Sequence, residues 1–259
     1  MSDAILSLAP PPADKRLAYG RDDNQFLDLR LPSGKGPHPV VLNLHGGFWR
    51  SRYDLGHAGH LCAALTKKGI ATCNLEYRRV GNAGGGWPGT FDDVRSGLRF
   101  VASIATEHAL DLKRLVVAGH SAGGHLALWL GGREAGSAGV KLRGVAALAP
   151  VSDLQKAWEL HLSNDAVVEL LGGTPREVAE HYRDASPMDL HIDLPQRLIH
   201  GAADEVVPIE MSREYVAHKV AAHEDVRLIE PSACDHFDLI DPASKAWPRI
   251  EEAVLALLG

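Results

Sequence analysis

Six short apolar runs, alternating with segments of helical pattern, constrain this chain more than any other feature. Residues 40–44, 70–75, 115–118, 145–148, 198–200 and 226–229 are such runs. Val40-Val41-Leu42-Asn43-Leu44 has almost no polar break, as expected of a strand covered on both faces. Helical periodicity runs over residues 55–68, ending at Gly69, over 91–108, from Ala122 onward, and over 244–258. Alternation of this kind predicts a mostly parallel, doubly wound α/β sheet with helices on both faces. Functional residues are then expected beyond the carboxyl ends of the strands. An earlier strand is expected over residues 25–31, where Phe26, Asp28 and Arg30 alternate with leucines. Residues 152–195 break the rhythm. They show helical pieces at 157–171 and 175–183 and no strand, so they are expected to form a small helical insertion near the active site. Residues 1–14, rich in Ala and Pro, read as an N-terminal arm with little regular structure. Residues 1–259 are expected to form a single domain.

The sharpest local signal is Gly119-His120-Ser121-Ala122-Gly123, placed between an apolar run and a helical segment. G-x-S-x-G in that context is a strand-to-helix turn that lifts a serine hydroxyl above the sheet. A serine is a weak nucleophile until a base takes its proton, and the partners are expected in the order Ser, acid, His. His236 follows the run at 226–229 and precedes the last helix, which makes it the candidate base. Asp204 follows the run at 198–200 and is the candidate acid, with Glu205 its neighbouring rival. Its task is to hold the imidazole tautomer and stabilise the cation. Backbone amides must bind the oxyanion: Ala122 directly after the serine, and Gly47 and Phe48 in His45-Gly46-Gly47-Phe48-Trp49 after the first apolar run.

Other features exclude competing functions. The net charge of −6, with scattered basic residues, argues against nucleic acid as a partner. No apolar run has the length of a membrane span and the first residues do not form a signal peptide, so a soluble, cytoplasmic protein without a membrane partner is the expectation. Cys62, Cys73 and Cys234 have neither disulfide nor metal-site spacing. Cys62 and Cys73 read as buried small hydrophobes, while Cys234, close to His236, is expected to meet reagents. His57 and His60 share a helical stretch without a third ligand, so no metal is assigned. Gly84-Gly85-Gly86 lacks the lysine and hydroxyl of a phosphate loop. Trp49, Trp87 and Trp158 are candidate pocket walls, with core packing as the alternative, and His120 is a further pocket candidate. A homodimer is left open.

Together, His45-Gly46-Gly47-Phe48-Trp49, Gly119-His120-Ser121-Ala122-Gly123-Gly124, Asp204 and His236 resemble the esterase/lipase branch of the α/β-hydrolases. Within it, the His-Gly-Gly-aromatic-Trp form is similar to arylformamidases (kynurenine formamidases) and to small bacterial carboxylesterases. Tyr19-Gly20, Gln25-Phe26-Leu27-Asp28, Glu76-Tyr77-Arg78, Leu171-Gly172-Gly173-Thr174-Pro175 and Ala185-Ser186-Pro187 extend the similarity over nearly the whole chain. The resemblance implies an α/β-hydrolase fold and a small-molecule ester or formamide substrate. It implies hydrolysis of N-formylkynurenine or of short-chain carboxylic esters, with no metal and no organic cofactor. Phe48 departs from the Tyr usual in arylformamidases. A general short-chain carboxylesterase, lactonase or deacetylase outside tryptophan breakdown is the rival enzyme. A hydrolase-fold ligand-binding protein without turnover is the rival of another class.

Overall fold

The computed structural model describes residues 3–134, 136 and 140–259. Its strands are β1 (Lys15–Ala18), β2 (Phe26–Arg30), β3 (His38–Leu44), β4 (Ala71–Leu75), β5 (Leu110–His120), β6 (Gly144–Leu148), β7 (Gln196–Ile199) and β8 (Val226–Ile229). They form one sheet in the order β1-β2-β4-β3-β5-β6-β7-β8. β1–β2 and β2–β4 pair antiparallel, and every later pair is parallel. The helices are α1 (Gly59–Lys67), α2 (Gly89–Ile104), α3 (Ala122–Glu134), α4 (Leu154–Glu159), α5 (Ala166–Leu171), α6 (Ala179–Ala185), α7 (Ile209–Ala221) and α8 (Trp247–Leu258).

The period-two pattern of the central strands divides the core into two layers. Val40, Leu42, Leu44, Val117, Val145 and Leu198 face α2, α3 and α7. Val41, Val116, Ala146, Leu148 and Ile199 face α1 and α8. Helix α2 shows how spacing becomes packing. Phe91, Val94, Leu98 and Val101 lie on one stripe and are all buried. Helix α3 is buried on nearly every side, as a helix behind the middle of the sheet must be.

Three sequence expectations change, and one strand, β1, appears where none was expected. β5 begins at Leu110, earlier than the apolar run, because Leu110 and Asp111 already pair with β3, and a register shift carries the strand past polar Lys113 and Arg114 to Leu115. β1 carries no alternation because it is an exposed edge strand. The helical stretch at 157–171 is two helices, α4 and α5. His161, Ser163, Asn164 and Asp165 between them have positive φ, which no α-helix tolerates. The arm is more ordered than its composition suggests, although Met1 and Ser2 lie outside the described residues. Asp3–Ser7 forms a 3₁₀ turn with Ile5 buried, and Arg30 donates to the Pro11 carbonyl.

Candidate active site

Ser121 stands at the end of β5 with φ of 57°, and Gly123 in the next turn lets the main chain close up. A Cβ on Gly123 would lie 2.0 Å from the Leu44 carbonyl oxygen, so α3 meets the end of β3 at a distance only glycine permits. The Ser121 amide donates to Leu148 at 2.7 Å, and the Ser121 carbonyl receives the first helical bond from His125 at 3.0 Å. The left-handed serine is therefore held from both sides.

His236 and Asp204 meet as the sequence predicts. His236 Nδ1 lies 2.7 Å from Asp204 Oδ2. A carboxylate only accepts, so Nδ1 carries the proton and Nε2 keeps its lone pair. Asp204 is fixed by its own loop, since Oδ1 accepts the amides of Val206 and Val207 at 2.8 and 2.9 Å. His200 approaches Oδ2 at 3.3 Å. Burial pushes the Asp204 carboxyl up, but the bonds from His200, His236 and the loop amide outweigh it and hold it well below the usual range. Glu205, the rival acid, is exposed.

Ser121, His120 and His236 line a cavity of about 250 Å³ together with Gly46, Gly47 and Phe48. Gly47, Phe48 and Trp49 have φ of 114°, 47° and 57°, a left-handed run that turns the main chain back on itself after β3. Among the described residues, the amides of Gly47 and Phe48 donate to no acceptor. Ala122 opens α3, where an amide has no intrahelical partner. It does not line the cavity, although its neighbour Ser121 does.

The loop carrying these amides is anchored from beneath. His45 Nε2 is 2.9 Å from Glu76 Oε1, and Arg79 is 2.8 Å from the same oxygen. Glu76 Oε2 accepts the Leu55 amide, and the Tyr77 hydroxyl donates to the His45 carbonyl. Burial pushes the Glu76 carboxyl up, and His45 and Arg79 more than reverse this. From the side, Arg50 makes a double contact with Glu169 and bonds Ser163.

The pocket candidates divide. His120 lines the cavity, its Nε2 donating to the His236 carbonyl at 3.0 Å. Burial, then the neighbouring His236, holds its titration well below the usual range. The three tryptophans do not line it. Trp49 is in the core, 1% exposed, with its indole N–H on His125 Nδ1 at 3.1 Å. Trp87 packs on Phe91 and His181, and Trp158 against the core. The bulky walls are instead Leu6, Arg52, Tyr53, His57, Val206, Phe237 and Ile240. Val206 and Phe237 stand one or two positions from Asp204 and His236, a proximity that could have marked them. Leu6 had no such signal. The 152–195 stretch reaches the cavity through Ser163. Cys234 is 1% exposed, contrary to expectation, because its turn packs over Gly201. Cys62 and Cys73 are buried as predicted. His60 turns away from His57 to the Leu8 carbonyl. No helix among the described residues is long and apolar enough to cross a membrane.

His125 yields a stability prediction. Its Nε2 donates to the Ala185 carbonyl and its Nδ1 accepts from Trp49, so the buried ring is neutral. Burial lowers its titration to about 4 from 6.5. The unfolded chain therefore binds the proton first, and stability falls as pH drops from 6.5 towards 4, by up to about 3 kcal/mol. Urea midpoints across that window should show the fall, and His125→Gln should reduce the proton uptake on unfolding by about one. An unchanged uptake in the variant would contradict this.

Sheet order and the left-handed serine turn are those of the α/β-hydrolases, and the relatives place the chain in their esterase branch. The chain belongs to the family described as BD-FAE, which matches residues 27–218. It is 28% identical over 262 aligned residues to Esterase LipC of Mycobacterium tuberculosis, covering 88% of this chain and 61% of that protein. It is 25% identical to the Kynurenine formamidase of Danio rerio, covering 93% of this chain and 80% of that one. The chain spans about six-tenths of the length of the first curated relatives it matches. Among solved structures, a truncated carbohydrate esterase from gut microbiota superimposes with a TM-score of 0.82 at 22% identity, over 95% of this chain and 99% of that one. That likeness is one of fold.

Proposed function

We propose that the chain hydrolyses short-acyl or formyl carboxylic esters and amides through Ser121, His236 and Asp204. The observation that carries this reading is the 2.7 Å contact of His236 Nδ1 with Asp204, behind a cavity lined by both His236 and Ser121. In the first half-reaction, Ser121 Oγ bonds to the substrate carbonyl carbon and its proton passes to His236 Nε2. The carbonyl oxygen becomes an oxyanion opposite the amides of Gly47, Phe48 and Ala122, each worth about 3 kcal/mol in related chemistry. Collapse breaks the bond to the alcohol or amine, which leaves with the proton from His236. Water then attacks the acyl-serine, giving a proton to His236, and the acid departs as Ser121 regains it.

The named relatives include carboxylic ester hydrolases and a kynurenine formamidase. A short-acyl esterase is the better reading, because the cavity is small and its bulky walls are largely apolar. N-formylkynurenine is the formamide alternative. Both are decided by comparing p-nitrophenyl acetate with N-formylkynurenine, using Ser121→Ala as the blank. The expected result is ester turnover and fluorophosphonate labelling in the wild type and neither in the variant. Turnover unchanged in Ser121→Ala would refute the mechanism, and a strong preference for the formamide would favour the alternative.

A further inference from the structure

We infer that the site prefers substrates that carry a carboxylate away from the scissile bond, held by Arg52 at the cavity wall. The inference rests on the hydrolase reading and names the substrate class of that same site.

The argument begins with charge. The chain has an acidic excess, with a net charge of −6, so an unselected stretch of its surface should hold carboxylates. The cavity wall does the opposite. Among the described residues, Arg52 lines the cavity and no Asp or Glu does. The nearest part of the mechanism that bears an acid, Asp204, has its carboxylate fully covered behind the His236 ring. Arg52 is exposed at the cavity mouth and, like Arg21, Arg176 and Arg227 elsewhere on the chain, is paired with no carboxylate among the described residues, but it alone of these lines the cavity. A guanidinium free of a carboxylate partner can take a substrate carboxylate, because its planar fork fits one with two parallel bonds.

The cation is also positioned. Its guanidinium carbon lies 4.8 Å from the centre of the Tyr53 ring, which itself lines the cavity. A guanidinium resting on an aromatic face keeps its in-plane N–H groups available for an acceptor. Tyr53 is held in turn, since its carbonyl accepts from the buried Arg79. The neighbouring His57 packs on Tyr53, and burial, then His45, lowers its titration, so it adds a polar edge to the wall at neutral pH. Leu6, Val206 and Ile240 line the same cavity. The cavity thus combines apolar side chains with one cation, a lining that suits an ester of an amphiphilic acid or alcohol.

The test compares substrates that differ only in charge, each a carboxylate and its carboxamide. One pair, 4-acetoxybenzoate and 4-acetoxybenzamide, puts the charge on the leaving group. The other, the mono-4-nitrophenyl ester of adipic acid and its ω-carboxamide, puts it on the acyl chain. kcat/KM is measured for the wild type, Arg52→Gln and Arg52→Lys. We expect the wild type to favour the anion of at least one pair by about tenfold or more, mainly through KM. Arg52→Gln should collapse that ratio and Arg52→Lys should restore part of it. Raising the salt to about 1 M, where screening acts within about 3 Å, should shrink the ratio in the wild type. The salt series decides the question even if Arg52→Gln fails to fold. Equal kcat/KM within both pairs, with no response to salt, would overturn the inference and leave the hydrolase reading standing. Cleavage of none of the four, with no fluorophosphonate labelling, would overturn both.

Discussion

Asp204→Asn is expected to lower kcat on a short ester by roughly 10⁴ while leaving the fold in place. The reason lies in how the side chain is wired. Oδ1 accepts two backbone amides, from Val206 and Val207, and the other oxygen faces His236 Nδ1. An asparagine must keep its oxygen towards the two amides, so its NH₂ turns to His236. That group donates, and His236 Nδ1 must then accept. The ring shifts its proton to Nε2, the nitrogen that should have taken the proton from Ser121. Fluorophosphonate labelling should slow in parallel, since it needs the same activation. A kcat within tenfold of the wild type would show that another group, with Glu205 first in line, supplies the acid.

The second large effect is structural. Gly123→Ala would place a Cβ 2.0 Å from the Leu44 carbonyl oxygen and 2.6 Å from that of His45. Both obstacles are backbone, so neither can rotate aside. Helix α3 would have to back away from β3, and the cost should exceed about 3 kcal/mol. For a chain of this size that corresponds to a fall in Tm of roughly 6–12 °C. Esterase activity should fall further than stability, because Leu44 and His45 lead directly into the loop proposed to offer its amides to the substrate. Gly172→Ala is the control. Gly172 has φ of +83° with nothing within 4 Å of the added carbon, so its cost is confined to backbone strain, about 1 kcal/mol. Equal Tm shifts for the two variants would contradict the close-approach argument.

The parallel core was legible because it is written in burial. Runs such as 40–44 and 145–148 lie between two layers of helices, and such a position leaves little room for polar residues. The candidate site residues were legible for a related reason. The topology obliges Ser121, Asp204 and His236 to follow β5, β7 and β8, and so their positions picked them out from other serines, acids and histidines. What escaped was whatever depends on contacts between distant segments. Trp49 looked like a pocket wall from its place in the oxyanion loop, but its partner, His125, is 76 positions away, and that bond turns the indole into the core. Leu6 lies in a stretch whose prolines suggested a loose arm, and only the packing of Ile5 and Pro10 brings it to the cavity. Edge strand β1 stayed hidden because its evidence is in backbone pairing, which leaves no trace in side-chain polarity.

The ring of His125 joins three parts of the chain that a protein engineer would wish to vary separately. Through Trp49 it touches the loop before the site, through its own backbone the helix behind Ser121, and through Ala185 the helical stretch at 152–195. Swapping that stretch for one from a relative, a natural way to seek new substrates, would also remove the acceptor that fixes the ring, along with Glu169 and its grip on Arg50. Loop grafts are therefore expected to succeed as matched sets, with residues 49–50, 125 and 185 travelling together. Libraries that randomise the stretch alone would spend most of their diversity on variants whose loop at residues 46–50 has lost its footing.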